Sequence, residues 1–132
     1  MRGLSLVIPL YNEADNIREL IGTLSAALEK EKIEYELVLV DNGSSDATGA
    51  LIEEYARADN RIRRVNVRKN IGYGWGIIKG LEAAEGEHLG FMCGDGQIKP
   101  ADVVRVYRKL TEERLDLCKV RRVYREDGLQ RK

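Results

Sequence analysis

The stretch LSLVIPLYNE, residues 4–13, joins a buried strand directly to a polar loop. Leu4 to Ile8 is apolar apart from Ser5, which predicts a strand covered on both faces, and Pro9 is expected to end it. From Ala14 to Lys30, apolar residues recur every three or four positions, as on one face of a helix. A strand followed at once by such a helix is the start of a βαβ unit and favours a parallel sheet.

The same alternation of strand and helix continues along the chain. Asp46 is placed to cap a helix that follows the second strand. Further strands are predicted over 35–40, 61–67, 87–92 and 115–120. Three further helices are predicted: one after residue 46, one from the glycine-rich stretch 70–76 to residue 84, and one from Pro100 to about Thr111. We therefore expect a Rossmann-like α/β fold with a mostly parallel sheet flanked by helices.

The composition indicates one globular domain over residues 1–132. The 22 basic and 22 acidic residues balance, which argues against a nucleic-acid-binding protein. Cys93 and Cys118 lie far apart and His88 is the only histidine, so neither a disulfide framework nor a zinc site is expected. This cysteine usage fits a reducing, cytoplasmic location. No run reaches the length of a membrane span, so any membrane contact is expected to be peripheral.

Residues 119–132 differ from the rest of the chain in charge. Six basic residues stand there against two acidic ones, and we expect a basic, partly ordered tail.

Three of the predicted strands are followed by polar loops, at residues 9–13, 41–46 and 93–97. In a parallel sheet the carboxyl ends of the strands meet at one edge, and ligands bind in the crevice outside that edge. Polar side chains in three such loops therefore indicate a binding site formed jointly by these loops.

Four blocks of this sequence resemble the inverting family 2 glycosyltransferases with the GT-A nucleotide-diphospho-sugar transferase fold. The resemblance is greatest to enzymes that move a sugar from a nucleotide donor to a polyprenyl phosphate, and it extends from Leu4 to about Gly128. The blocks are VIPLYNE at 7–13, VDNGSSD at 40–46, NIGYG at 70–74 followed by Gly80, Ala83, Ala84, Gly86 and Glu87, and GDGQ at 94–97 followed by Pro100. The resemblance implies a UDP- or GDP-sugar donor, Mg2+ or Mn2+, a lipid-phosphate acceptor, and action at the inner face of the membrane.

The nucleotide-binding residues that the resemblance implies are Pro9, Tyr11, Glu13, Asp41, Asn42, Gly43 and Asp95. Asp41 would accept hydrogen bonds from the ring N–H of uracil or guanine beside Pro9 and Tyr11, and Glu13 would lie near the ribose. Asp41 and Glu13 each have a structural alternative. Asp41 is also suited to an Asx-turn that leads into Gly43, and Glu13 to capping the first helix.

The resemblance assigns the metal to Asp95 and Gln97, with Asp95 also counted as catalytic. In an extended loop their oxygens project to one side and can share a hard cation with a diphosphate. A polar turn around Gly94 and Gly96 is the structural alternative. By this resemblance, Cys93 stands where the family has its first aspartate, and sulfur is a poor ligand for magnesium. The alternative role of Cys93 is that of a small side chain that fills space in the core.

The resemblance also implies that Arg122 is catalytic, receiving the phosphate of the lipid acceptor or the departing diphosphate. A solvated basic tail is the alternative for this region. Tyr73 and Trp75 are suited either to stacking on a ligand or to packing beneath their loop.

We expect the chain to be the donor-binding part of a longer enzyme. One alternative is a catalytically inactive nucleotide-sugar-binding remnant, which Cys93 favours. A sugar nucleotidyltransferase is a weaker alternative, because residues 9–13 lack the glycine- and lysine- or arginine-rich first loop that such an enzyme needs.

Overall fold

Four parallel strands and four helices alternate along residues 3–120, the part of the chain that the computed structural model describes. The elements are β1 (Leu4–Leu10), α1 (Ile17–Lys30), β2 (Tyr35–Asn42), α2 (Thr48–Ala58), β3 (Ile62–Val67), α3 (Tyr73–Ala83), β4 (His88–Phe91) and α4 (Pro100–Glu112). The strands form one sheet in the order β3-β2-β1-β4. The predicted α/β architecture is confirmed.

The two central strands, β1 and β2, are buried along their whole length. Alternate residues of β1 point to opposite faces, so the strand contributes to two cores. Leu6, Ile8 and Leu10 pack with α1, α2 and α4 on one face, whereas Val7 packs with β2, β3 and the end of α3 on the other. No helix within residues 3–120 is long and apolar enough to cross a bilayer.

Pro9 does not end the first strand, contrary to the sequence prediction. β1 continues to Leu10, and Pro9 is paired with Val40 of β2. The ladder between β1 and β4 stops at Val7, so at Pro9 the strand has a ladder partner on one side only. A residue without an N–H is tolerated at such a position.

The predicted fifth strand over residues 115–120 is wrong: the backbone there is irregular. Helix α4 ends at Glu112, Arg114 two residues later has a φ of 53°, and the N–H of Leu115 bonds back to the carbonyl of Leu110. Apolar alternation predicted the strand, but a strand also needs a neighbour to complete its hydrogen bonds. None of the described strands pairs with this segment, and Leu117 is 79% exposed.

Candidate functional site at the carboxyl edge of the sheet

The loops that follow all four strands meet at the carboxyl edge of the sheet. The register pairs Leu10 with Asp41 and Asn42 with Val67, so the loops after β1, β2 and β3 start side by side. Gly94, in the loop after β4, packs so closely on Leu10 that any side chain at position 94 would collide with it. The structure therefore brings the predicted loops together at one edge.

Asn12 joins the loop after β1 to the loop after β2. Its side-chain oxygen accepts hydrogen bonds from the backbone N–H of Ser45 at 2.8 Å and of Asp46 at 3.3 Å. Its own N–H donates to the hydroxyl of Ser44 at 3.0 Å. Asn12 has a φ of 52°, a left-handed conformation that asparagine tolerates better than most residues. The sequence analysis did not single out this residue, because its partners lie more than thirty positions away.

Asp46 and Thr48 form a second connection between the same two loops. One oxygen of Asp46 accepts from the N–H and the hydroxyl of Thr48, and the other accepts from the N–H of Ala14. The hydroxyl of Thr48 in turn accepts from the N–H of Glu13 at 2.9 Å. These hydrogen bonds, that from the Thr48 hydroxyl foremost, lower the pKa of Asp46. The N-cap of α2 is Ala47 and not Asp46 as predicted, but Asp46 lies one residue before it and accepts from the N–H of Thr48, the first residue of the helix.

Asp41 is 8% exposed and lies at the end of β2. One of its carboxylate oxygens accepts from the N–H of Ser44 at 3.0 Å, which is the Asx-type turn predicted as its structural role. This turn leads through Gly43, whose φ is +76°. A methyl group at position 43 would lie 2.6 Å from the backbone nitrogen of Asn70, so only glycine fits there.

Asn42 is 3% exposed, and its amide faces the loop before α3. The amide nitrogen donates to the carbonyl of Gly72 at 3.3 Å and to the side chain of Asn70 at 3.5 Å. Its oxygen is buried and has no hydrogen-bond partner among residues 3–120. The side chain therefore holds the start of α3 against β2, a positioning role that sequence reasoning missed.

Glu13 and Pro9 both have structural roles at this edge of the sheet. The Glu13 carboxylate accepts from the side chain of Asn16 at 2.8 Å, and its carbonyl accepts from the N–H of Ile17 at 3.0 Å. The N-cap of α1 is Asn16, which has no side-chain capping bond, so the Glu13 carboxylate bonds to the Asn16 side chain instead of capping the helix as predicted. Pro9 is buried within β1, whereas Tyr11 is 49% exposed and accessible for contact with a ligand.

The thiol of Cys93 bonds to the hydroxyl of Tyr73, the first residue of α3, at 3.3 Å. Burial, this bond and the negative charge of nearby Asp95 raise the pKa of the Tyr73 hydroxyl. Cys93 is partly buried, and its contact with Tyr73 was not predicted from the sequence.

Asp95 and Gln97 are both exposed at the same edge. One oxygen of the Asp95 carboxylate accepts from the backbone N–H of Gln97 at 3.1 Å, forming a turn through Gly96 at a φ of +81°. The predicted polar turn is thus present, and it occupies one of the two carboxylate oxygens.

These residues do not form a complete metal site by themselves. Within residues 3–120, no three His, Cys, Asp or Glu side chains are grouped to bind a metal. Asp95 and Gln97 supply oxygen ligands, while hard cations take about six to eight oxygens. The donor set therefore fits a cation held jointly with a ligand's diphosphate.

A cavity of about 380 Å3 lies between α1 and the segment 92–100. Leu20 and Leu24 form part of its wall, and Asp95 and Lys99 lie on the opposite side. Tyr11 and Asp41 do not line it. Of the residues predicted to bind the nucleotide or the metal, Asp95 is the one that lines this cavity.

Trp75 is 39% exposed, and the ammonium of Lys79 lies 4.7 Å from the centre of its ring. The ring is thus partly covered, and its two predicted roles, stacking on a ligand and packing beneath the loop, stay predictions. Arg122 and most of the predicted basic tail lie outside the described residues.

Comparison with known proteins extends these observations. The sequence model of the family described as Glycosyl transferase family 2 matches residues 5–132. A dodecaprenyl-phosphate galacturonate synthase of Rhizobium johnstonii is 35% identical over 127 residues, which cover 96% of this chain and 38% of that protein. An undecaprenyl-phosphate 4-deoxy-4-formamido-L-arabinose transferase of Proteus mirabilis is 33% identical over 130 residues, covering 98% of this chain and 40% of that protein. The chain thus spans about two fifths of the length of these relatives.

The fold has counterparts among solved structures. Residues 1–349 of S. aureus TarS, solved in complex with UDP-GlcNAc, superpose with a TM-score of 0.66 and 28% identity. The match covers 85% of this chain and 32% of the TarS 1–349 chain. The observed sheet and helices are therefore those of a GT-A glycosyltransferase domain.

Proposed function

The chain belongs to glycosyl transferase family 2, and from this premise we propose that it is the donor-binding part of an inverting glycosyltransferase. The donor is a UDP- or GDP-sugar and the acceptor a polyprenyl phosphate, so that the enzyme acts at the cytoplasmic face of a membrane. The observation that carries this proposal is the meeting of the loops after β1, β2 and β4 at one edge of the sheet. The two similar transferases support the acceptor class, since both are named for polyprenyl-phosphate products.

Tyr11 and Asp41 are proposed to bind the base. Tyr11 is half-exposed directly after β1, and the register places Leu10 beside Asp41. An exposed ring can stack on a base, and a carboxylate can accept from the ring N–H of uracil or guanine. Asn42 and Gly43 fix the loop on which this carboxylate lies, and Glu13 lies next to the loop at the start of α1.

Asp95 and Gln97 are proposed to hold the divalent cation together with the donor diphosphate. When bound, the cation offsets the charge that grows on the departing nucleoside diphosphate. Asp95 would hold the cation through the carboxylate oxygen that does not bond to Gln97. Arg122 is proposed to pair with the phosphate of the acceptor.

The acceptor needs little help from a protein base. A phosphate monoester is already ionised near neutral pH, so its oxygen can attack the sugar carbon without losing a proton first. The new bond forms from this oxygen to the sugar carbon on the face opposite the diphosphate. The bond from that carbon to the diphosphate breaks, and the diphosphate leaves with the electron pair.

Isothermal titration with UDP- and GDP-sugars, with and without Mn2+, tests the proposal. We expect one class of donor to bind, more tightly with the metal, and Asp41→Asn and Asp95→Asn to weaken binding by about tenfold or more. Asp116→Asn, at an exposed position after α4, is the matched control and should bind as the parent does. Absence of binding to every nucleotide sugar would refute the proposal.

A catalytically inactive nucleotide-sugar-binding remnant is the second candidate. The observation that favours it is the thiol of Cys93, which bonds to Tyr73 where the family has a carboxylate. Donor binding that is the same with and without Mn2+ would support the remnant over the transferase.

A further inference from the structure

Helix α3 and the loop before it expose apolar side chains to solvent. Ile71 is 62%, Ile78 49% and Trp75 39% exposed. On the helix, Trp75 and Ile78 are three positions apart and therefore lie on one face. Apolar side chains grouped on the solvent face of a short helix are typical of a surface that contacts a partner.

The same segment is basic. Between residues 68 and 81 the chain carries three basic residues, Arg68, Lys69 and Lys79, and no acidic one. Lys79 lies over the ring of Trp75 and also pairs with Glu82, at 3.5 Å, on the next turn of the helix. We call the group formed by Arg68, Lys69, Ile71, Trp75, Ile78 and Lys79 the basic–aromatic surface.

The basic–aromatic surface adjoins the proposed donor site. The carbonyl of Gly72 bonds to the Asn42 amide at 3.3 Å, and Tyr73 bonds to Cys93 at 3.3 Å. The loop that carries Ile71 thus lies between the end of β2 and the loop after β4. A partner seated on this surface would stand next to the bound sugar nucleotide.

We propose that the basic–aromatic surface docks on the anionic face of a lipid bilayer and so brings the donor site to a membrane-bound phosphate acceptor. This inference rests on the proposed function. Tryptophan is enriched at membrane interfaces, apolar side chains bury there, and lysine and arginine are drawn to anionic headgroups. Lys79 is paired with Glu82, so Arg68 and Lys69 are the residues expected to attract the anionic headgroups.

Trp75 is the only tryptophan of the chain, so its fluorescence reports on this surface alone. The intact chain is titrated with vesicles of phosphatidylcholine, with and without about 30% phosphatidylglycerol, a fraction chosen to give a negative surface potential. We expect a blue shift with the anionic vesicles only, weakened as salt is raised, and quenching by lipids brominated on the acyl chain.

Two variants and two controls locate the contact. The double variant Ile71→Ser with Ile78→Ser, and separately Lys69→Glu, should lower vesicle affinity by about tenfold, since each removes an apolar or electrostatic part of the contact. Leu89→Ser is the matched control, because Leu89 is 51% exposed on β4, away from this surface. Replacing Arg121, Arg122 and Arg125 with Gln tests the basic tail and should leave the blue shift in place.

The outcomes separate this inference from the proposed function. An unchanged Trp75 spectrum, a shift abolished by the tail variant, or a shift that instead follows self-association without lipid would overturn the docking surface. The double isoleucine variant should still bind nucleotide sugar as the parent does. Loss of nucleotide binding in the parent chain with the lipid response intact would refute the proposed function and leave the lipid contact standing.

Discussion

The loops after β1 and β2 are hydrogen-bonded to each other, whereas Asp95 in the loop after β4 hydrogen-bonds within its own loop. Asn12 and Asp46 connect the first pair of loops through backbone and side-chain hydrogen bonds. In the third loop, Asp95 bonds to Gln97 two positions away. The base-binding part of the proposed site is thus built in advance by the fold, while the metal-binding part has room to rearrange around a diphosphate.

The largest expected difference between the two loops is in how each tolerates a methyl group on a glycine. Gly43 and Gly96 have similar φ values, +76° and +81°, but a methyl group at 43 would meet the backbone of Asn70, whereas at 96 it would meet nothing within 4 Å. We expect Gly43→Ala to lower the free energy of unfolding by about 3 kcal/mol and Gly96→Ala by about 1 kcal/mol. Urea denaturation measures both. Equal losses would show that the two loops are equally free to move.

Local pattern was sufficient for the fold because each strand and helix has its own periodicity. It failed at Pro9 and at residues 115–120, where the outcome depends on which strands lie alongside. Among the candidate site residues, Tyr11, Asp41 and Asp95 are proposed from their places at strand ends together with the family resemblance. The positioning roles of Asn12 and Asn42 depend on partners about thirty residues away, so no local signal reveals them.

Removing the connection at Asn12 should loosen the first pair of loops. Asn12→Ala loses the acceptor for two N–H groups and keeps the left-handed φ, so we expect a loss of about 2 kcal/mol in the free energy of unfolding. Asn12→Gly removes the same acceptor without the backbone strain and should lose about half as much. Both should weaken nucleotide binding in calorimetry. Unchanged affinity in both variants would mean that this connection does not position the site.

A carboxylate at position 93 should strengthen the binding of the cation and donor by the loop after β4. Cys93→Asp adds a hard oxygen ligand beside Asp95, and we expect Mn2+-dependent donor affinity to rise on the order of tenfold. Cys118→Asp, also partly buried but in the segment after α4, is the matched control. Titration of each variant with donor, with and without metal, measures the effect. An affinity that stays equal or falls would show that position 93 does not face the cation.

The smallest expected effect is the pH dependence of the connection at Asp46. Its pKa is lowered in the folded chain, so the carboxylate's contribution to stability is present above the ordinary aspartate pKa of about 4 and is lost as pH falls through the folded value. The difference in unfolding free energy between the parent and Asp46→Asn should therefore shrink on acidification below about pH 4. Denaturation series at several pH values measure it. If the difference in unfolding free energy between the parent and Asp46→Asn did not change with pH, the Asp46 carboxylate would not be the source of the stabilisation.

The central claim is that the loops after β1, β2 and β4 together bind a sugar nucleotide and its cation. Amide NMR of the labelled chain tests it directly, by mapping shifts on addition of the nucleotide sugar and line broadening on addition of Mn2+. The account predicts shifts at Tyr11 and Ser44 and broadening centred on Asp95 to Gln97. Shifts confined to the cavity beside Leu20 and Leu24, with no change at Tyr11 and Ser44, would contradict it.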